Sequence, residues 1–321
     1  MSILKRLFFL AVCLLGATSA FAQSDYPSRP IRIIVTYTPG GASDILARMV
    51  GEEMSKAWKQ AVVVENRPGA GGAVGLEAAA RSAPDGYTLV VGVSGTLVMG
   101  PHLMKGLTFD TRKDFTPVAM LSRVENIFVV DPNFEAKTIQ DVIALAKAKP
   151  GALSYASGAA AFQLGMELFK SKAGIDIVAI PYKGDGPAAL DVIAGRVPMM
   201  ISSVGAQLGA VRSGKLRALA VLGNERVPSL PDVPTMMEAG VPGYVAVGWN
   251  ALVAPAGVPA EIADKINREV NRILEMPDIR KKIIDQGFEP WPMSRAALAD
   301  IIATEHAKWG DVVRAAGIEP Q

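Results

Sequence analysis

The residues best placed to do chemistry form one short loop, Thr38-Pro39-Gly40-Gly41-Ala42-Ser43-Asp44. It lies between an apolar, strand-like run and a segment with helical periodicity. Two glycines let the backbone approach a ligand closely, and the free N–H groups of a helix start point at it. A helix N-terminus carries partial positive charge, so the loop is suited to holding an anion. The same residues also read as a plain tight turn with Ser43 or Asp44 as N-cap. Four other strand ends are small, polar or glycine-rich: Ser94-Gly95-Thr96, Ser157-Gly158-Ala159, Tyr182-Lys183-Gly184-Asp185-Gly186 and Ser202-Ser203. They offer N–H and hydroxyl donors, and Lys183 adds a cation. Each alone reads as an ordinary turn. Their recurrence beyond the carboxyl ends of strands, where open α/β sheets bind ligands, favours a site.

Catalytic machinery is missing. The two histidines, His102 and His306, sit in no ligand-spacing pattern, so no metal site or triad is expected. Gly92-Val93-Ser94-Gly95-Thr96 fails the G-x-S-x-G pattern at its last position, and there is no P-loop. The rival reading, an exported hydrolase using Ser94, Ser157 or Ser203 with a distant histidine, lacks a visibly placed base and orienting acid. A second glycine cluster, Gly69 to Gly75, resembles a dinucleotide loop, but Asn66, Arg67 and Pro68 separate it from the preceding strand. The next strand ends without a ribose-binding acid. No cofactor is expected.

The elements that must position these loops alternate. Strands are predicted over 31–37, 62–65, 88–93, 127–130, 153–157, 177–182 and 197–203. A helix over 43–58 has Ile45, Leu46, Met49, Val50, Met54 and Trp58 on one face. Thr138 with Asp141 reads as a capping box opening another helix, and Pro150-Gly151 follows its end. Pro187 marks a helix start and Gly195 lies past its end. Such alternation implies an α/β fold with mostly parallel sheet, and the strands are too many for one sheet of usual size, so two are expected, with helices on both faces. Two C-terminal helices, one from Ile262 to a stop at Pro277 and one over 296–315, need a sheet to cover. The N-terminal sheet is the natural candidate. The chain would then leave the first lobe, build the second and return. Trp249 and Tyr244 are expected to pack near the returning crossover.

The chain has 321 residues, half of them hydrophobic and a fifth charged, as suits a two-domain globular protein. Lys5 and Arg6, the apolar run Leu7 to Leu15 and Ala20-Phe21-Ala22 read as a signal peptide over 1–22, with Gln23 as the mature start. An anchor helix, or a lipoprotein using Cys13, are the alternatives. Cleavage removes two cations and leaves 31 basic against 31 acidic residues. A neutral protein has no general attraction for nucleic acid. The only cysteine leaves with the signal, excluding disulfides and thiolate chemistry from the mature chain.

Several strings together resemble the Bug receptors, the substrate-binding proteins of tripartite tricarboxylate transporters. They begin with Tyr26-Pro27-Ser28-Arg29-Pro30-Ile31, Pro39-Gly40-Gly41 with Asp44 and Ala47-Arg48, and Val64 to Gly72 (VENRPGAGG). They continue through Pro84 to Leu89 (PDGYTL), Pro181-Tyr182-Lys183-Gly184 with Gly186-Pro187-Ala188, and Gly214 to Ala220 (GKLRALA). Leu230 to Thr235 (LPDVPT), Ala254 to Gly257 and Lys308-Trp309 complete the series. The resemblance implies a periplasmic receptor of the two-lobed, type II Venus-flytrap fold, not an enzyme. It implies one lobe over 23–124 and 248–321 and the other over 125–247. It also implies a monomer that holds a small carboxylate and passes it to an inner-membrane tripartite permease or a sensor kinase. The loop around Tyr37 to Asp44 would grip one carboxylate, and second-lobe loops would set specificity. The sequence departs from the family pattern at Thr38, where a Pro is usual, at Gln163, where a His is usual, and at Pro198, where an Asp is common. The loop from Ser157 to Gln163 is shorter and more apolar than usual. With Phe162 nearby, unless it belongs to the core, these departures point to an apolar or aromatic carboxylate rather than citrate.

Overall fold

A computed structural model of the chain describes residues 26–320. The expected signal peptide and its cleavage site lie outside the described residues.

In chain order the first part runs β1 (Ile31–Val35), α1 (Ala42–Trp58), β2 (Val62–Asn66), α2 (Ala73–Ala80), β3 (Thr88–Val93), α3 (Gly100–Leu103) and β4 (Phe115–Val124). A π-helical turn, Gly95–Met99, links β3 to α3. The middle comprises β5 (Asn126–Val130), α4 (Ile139–Ala148), β6 (Ser154–Ser157), α5 (Ala160–Ala173), β7 (Val178–Pro181), α6 (Asp185–Ile193), β8 (Met199–Ser203), α7 (Val204–Arg212) and β9 (Arg217–Val221). The chain closes with β10 (Gly248–Pro255), α8 (Ala260–Leu274), α9 (Pro277–Asp285), β11 (Glu289–Pro290) and α10 (Arg295–Ala315).

These strands build two sheets, one in the order β11-β4-β10-β3-β1-β2 and one in the order β7-β6-β8-β5-β9. The chain therefore leaves the first sheet after β4 and returns to it at β10. Both sheets are mixed rather than mostly parallel. β1 is parallel to β2 and β3, and β6 is parallel to β7 and β8. β10 runs antiparallel to β3 and β4, and β5 antiparallel to β8 and β9. The physical reason is the double crossing: a strand that carries the chain out and a strand that brings it back must run in opposite directions when they pair.

Four strands escape the pattern of apolar runs. β4 contains Pro117 and ends in Ser122-Arg123, which reads poorly as an interior strand. The proline is tolerated because it pairs with Val253 at a register irregularity. β9, β10 and the two-residue β11 carry polar or proline residues that hide them in the same way. β1 stops at Val35, two residues short of the expected end, so that Thr36 and Tyr37 join the loop that Thr38 was expected to open. Pro277 both ends the space after α8 and opens α9 at its first turn, a helix that a stop signal alone does not reveal.

The capping box is present as expected: Asp141 N donates to Thr138 Oγ1 at 3.1 Å, and Thr138 N to Asp141 Oδ2 at 2.9 Å. α1 and α8 cover one face of the first sheet with a core including Leu46, Val50, Met54, Ile266 and Val270. α10 packs on β4 and on the Gly95–Met99 turn, and also reaches α5 of the second lobe. Trp249 and Tyr244 are buried near the return crossing. Trp249 Nε1 donates to Glu305 Oε2 at 2.8 Å and Tyr244 Oη to Gly165 O at 2.9 Å, so both are packing residues. Phe162 packs against the same core.

Candidate functional site

In the first lobe the loop after β1 is held from beneath. The N-cap of α1 is Gly41, with no side-chain cap, so neither Ser43 nor Asp44 plays the capping role that the sequence allowed. Asp44 instead sits in the first turn and is 3 % exposed. Its Oδ2 accepts from Gly40 N at 2.9 Å and Arg48 Nε at 3.0 Å, and its Oδ1 accepts from Asn66 Nδ2 at 2.9 Å. Asn66 Nδ2 also donates to Tyr37 O, and Arg48 donates to Asn66 Oδ1, both at 3.0 Å. Burial works against the charge, but Arg48, the Gly40 N–H and Asn66 hold the Asp44 carboxyl below its ordinary range. Asp44 therefore shapes the loop, and its oxygens are already engaged.

The loop's own face stands open. A Cβ added at Gly40 would meet nothing within 4 Å, and at Gly41 only Thr38 O, at 3.5 Å. Gly40 has φ +80°, which a side chain would strain. Gly41 has an ordinary φ of −76°. Asp44 N and Ile45 N both donate to Gly41 O at 3.0 Å. The first-turn amides of Gly41, Ala42 and Ser43 have no acceptor within their own helix. Thr38 is exposed, as is Tyr37 at 38 %.

Ser94-Gly95-Thr96 lies beside this loop. A Cβ on Gly72 would come within 2.5 Å of Thr96 Cγ2 and 3.3 Å of Thr36 Cβ. The second glycine cluster thus exists so that its backbone can press against these two threonines. Thr96 is 6 % exposed, and its hydroxyl is turned back on Val93, donating to Val93 O at 3.0 Å. Ser94 is likewise buried. Of this trio, Gly95 and the turn backbone are what the site can use.

The second lobe gathers its own set. Gly158 lies so close to Gly184 and Asp185 that an added Cβ would stand 2.7 Å from Asp185 Cα. Tyr182 N donates to Ser157 O at 2.9 Å. Asp185 accepts from Ser202 Oγ through Oδ2, with Gln207 Nε2 at 3.5 Å, while its Oδ1 is buried and has no partner among the described residues. Burial pushes the Asp185 carboxyl up, only partly offset by Ser202 and Gln207. Lys183 is exposed and makes no ion pair among the described residues. Ala159 is the N-cap of α5, and Gln163, half-buried on its first turn, has no side-chain hydrogen bond among the described residues. Two expected residues are committed elsewhere. Tyr182 Oη donates to Asp191 Oδ2 at 2.7 Å, and Ser203 Oγ caps α7 by accepting from Ala206 N at 3.3 Å.

Several residues that shape the site were not anticipated. Ser43 Oγ donates to Asn250 Oδ1 at 2.7 Å, and Asn250 Nδ2 to Ser122 Oγ at 3.1 Å. This buried chain ties the start of α1 to β10 and β4, the strands that carry the chain between lobes. Asn66 was visible only within the VENRPGAGG string, where nothing marked it as the support of Asp44.

A cavity of 610 Å³ lies within the first lobe and touches none of the expected residues. It holds the two histidines, whose ring centroids are 4.3 Å apart, with His102 Nε2 2.9 Å from His306 O. Burial, then His102 and Arg112, lower the His306 pKa. Among the described residues no hydrogen bond joins either ring to Ser94, Ser157 or Ser203, and no cluster of potential metal ligands is present.

Two sheets joined by a double crossing, each with glycine- and amide-rich loops at the carboxyl ends of its parallel strands, define a two-lobed solute-binding receptor of the periplasmic-binding-protein class. The profile of the tripartite tricarboxylate transporter family receptor matches residues 46–318. The chain belongs to this family, whose members are solute receptors and not enzymes, and the hydrolase reading has no support. It is 38 % identical to the protein BugT of Bordetella pertussis strain Tohama I over 305 residues, covering 94 % of each chain. Two solved structures are similar throughout. The R. palustris protein Rpa4515 with adipate has 34 % identity and a TM-score of 0.76, covering 92 % of this chain and 100 % of that one. MatC (Rpa3494) from Rhodopseudomonas palustris with bound malate has 33 % identity and a TM-score of 0.72, covering 90 % and 100 %.

Proposed function

We propose that this receptor works in the periplasm as a monomer, after cleavage behind Ala22, and closes on a small organic carboxylate. One lobe comprises 23–124 with 248–321 and the other 125–247. The observation that carries the reading is the open loop surface at Gly40 and Gly41, beside which the first-turn amides of Gly41, Ala42 and Ser43 have no acceptor within their own helix, the loop being held by the Asp44–Asn66–Arg48 cluster. One carboxylate of the ligand takes these amides, with Tyr37, Thr38 and the Ser94–Thr96 turn around it. The rest of the ligand meets Ser157, Gly158, Ala159, Gln163 and the loop from Tyr182 to Asp185, with Ser203 at its margin.

Relatives named with adipate and malate support a carboxylate as the ligand class. The apolar stretch Ala159 to Phe162 favours a ligand with an apolar or aromatic midsection over citrate. Closure around the ligand would present a new joint surface to a tripartite membrane permease or a sensor kinase. A thermal-shift screen of the mature protein against mono- and dicarboxylates, aliphatic and aromatic, tests the reading. A ligand that binds only the native state, at a hundred times its Kd, adds about 2.7 kcal/mol and must raise the Tm. A flat response across the panel from folded, ligand-stripped protein removes the carboxylate role.

A further inference from the structure

The chain first changes sheets through a single residue. β4 ends at Val124 and β5 begins at Asn126, which leaves Glu125 as the crossing. The return crossing lies beside it. Asn126 Nδ2 donates to Ala246 O at 2.8 Å, while Leu222 N donates to Asn126 O and Ala246 N to Leu222 O, both at 2.9 Å. A carboxylate placed between two such strands feels any change in the angle between the lobes.

Glu125 is 9 % exposed and poorly provided for. Its Oε1 lies 3.1 Å from Arg123 Nε, but the same guanidinium also reaches Glu289 Oε2 at 2.8 Å, so one cation serves two carboxylates. Its Oε2 is buried without a partner among the described residues. A Cβ added at Gly223, in the bend just after β9, would collide with that oxygen. Glu225 adds negative charge nearby. The carboxyl lines a 280 Å³ cavity walled by Val204 and Val227 from one lobe and by Ile284, Phe288 and Arg280 from the other. At the cavity's edge Gly205 and Gly287 approach so closely that a Cβ on Gly287 would lie 3.2 Å from Gly205 Cα.

We propose that Glu125 is a proton-operated stop between the lobes: protonated, it favours the lobe arrangement described here, and ionised, it favours one in which the rear cavity opens and water reaches its carboxylate. An orphaned, charged oxygen is costly to bury, whereas the neutral acid is not. Burial pushes the Glu125 carboxyl up to about 7, opposed by Arg123 and reinforced by Glu289 and Glu225. An arrangement that raises a carboxyl's pKa binds the proton more tightly, so it is favoured below that pKa and loses ground as pH rises through about 7. Each unit of pKa difference between arrangements changes their population ratio by about tenfold. In the receptor reading, on which this consequence rests, ligand affinity becomes proton-linked in the same range.

The mature chain has no cysteine, so a Val63→Cys, Leu190→Cys pair places one fluorophore on each lobe at residues 54 % and 66 % exposed. Energy transfer in the ligand-free protein should change as pH rises from 5.5 to 8.5, with a midpoint at or below about 7. Glu125→Gln should hold the low-pH value throughout. Glu289→Gln, a half-exposed change, frees Arg123 for Glu125 and should move the midpoint to lower pH, which keeps the test valid if Glu125→Gln folds poorly. A pH-independent signal, or an unshifted midpoint in Glu289→Gln, overturns the proposal. Carboxylate binding measured by calorimetry on the same samples separates the two ideas. Binding with no pH-dependent transfer sinks the stop alone, and pH-dependent transfer with no binding sinks the ligand assignment alone.

Discussion

Two aspartates occupy matching places in the two lobes and are treated in opposite ways. Asp44 and Asp185 each stand in the first turn of the helix that follows a strand, beside a glycine loop. Asp44 is satisfied at both oxygens by Gly40, Asn66 and Arg48, and its pKa is lowered. Among the described residues Asp185 has no cation partner and one orphaned oxygen, and its pKa is raised. The first lobe therefore presents a finished backbone surface and uses its acid only as internal bracing. The second leaves its acid unfinished. A preformed surface suits the group common to all ligands, and an unfinished one suits the part that differs.

The largest effect expected is on the finished side. Gly41→Val needs no unusual φ and has room for its side chain, so the Tm should change little. It stands over the amides, and loss of one or two charge-assisted hydrogen bonds, at roughly 1.5–3 kcal/mol each, weakens ligand binding by at least about tenfold in calorimetry. Unchanged affinity would remove this loop from the site. Asp44→Ala comes next. It strips the brace from a buried cluster and should lower stability by about 1–3 kcal/mol in urea unfolding, with weaker binding in consequence. Because the folded pKa of Asp44 is depressed, its contribution is present at neutral pH and is lost only as pH falls below the ordinary carboxylate range. The parent should therefore lose stability toward low pH more steeply than the variant.

Asp185→Asn should break the symmetry of the comparison. A carboxyl whose folded pKa is raised contributes stability below its ordinary pKa and loses it as pH rises. The variant should thus be as stable as the parent at neutral pH, or slightly more so, while its ranking of ligands in the thermal-shift panel changes. A loss above about 2 kcal/mol would place Asp185 among the bracing residues instead, since removing a partner from a satisfied buried network has that cost. The smallest effect is expected for Tyr182→Phe. Its hydroxyl is spent on Asp191, so the change should cost about 0.5–1.5 kcal/mol of stability at most and leave affinity within about twofold. A larger loss of affinity would return Tyr182 to the ligand.

The loops were legible in the sequence because glycine at strand ends has few other uses, and the strands of the parallel halves because their apolar runs are continuous. The strands that cross between lobes were not. Pro117, Arg123, Trp249 and Asn250 serve pairing irregularities and buried polar chains, and those depend on partners more than a hundred residues away. The roles of individual side chains were the least legible. Asp44, Tyr182, Thr96 and Ser203 each have the right type to touch a ligand, and each is drawn into a hydrogen bond within its own lobe that only the fold reveals.

Trp291 lies with its ring 6.0 Å from the guanidinium of Arg123, the one cation divided between Glu125 and Glu289. The other tryptophans are engaged differently: Trp249 pairs with Arg123 across the strands but binds Glu305 through its indole N–H, Trp309 is fully buried, and Trp58 packs edge-on to Tyr26. The indole at 291 is thus a built-in optical gauge of the crossing. Any redistribution of Arg123 between its two acids alters the field across that ring, and so the colour and yield of its emission, without a label anywhere on the molecule.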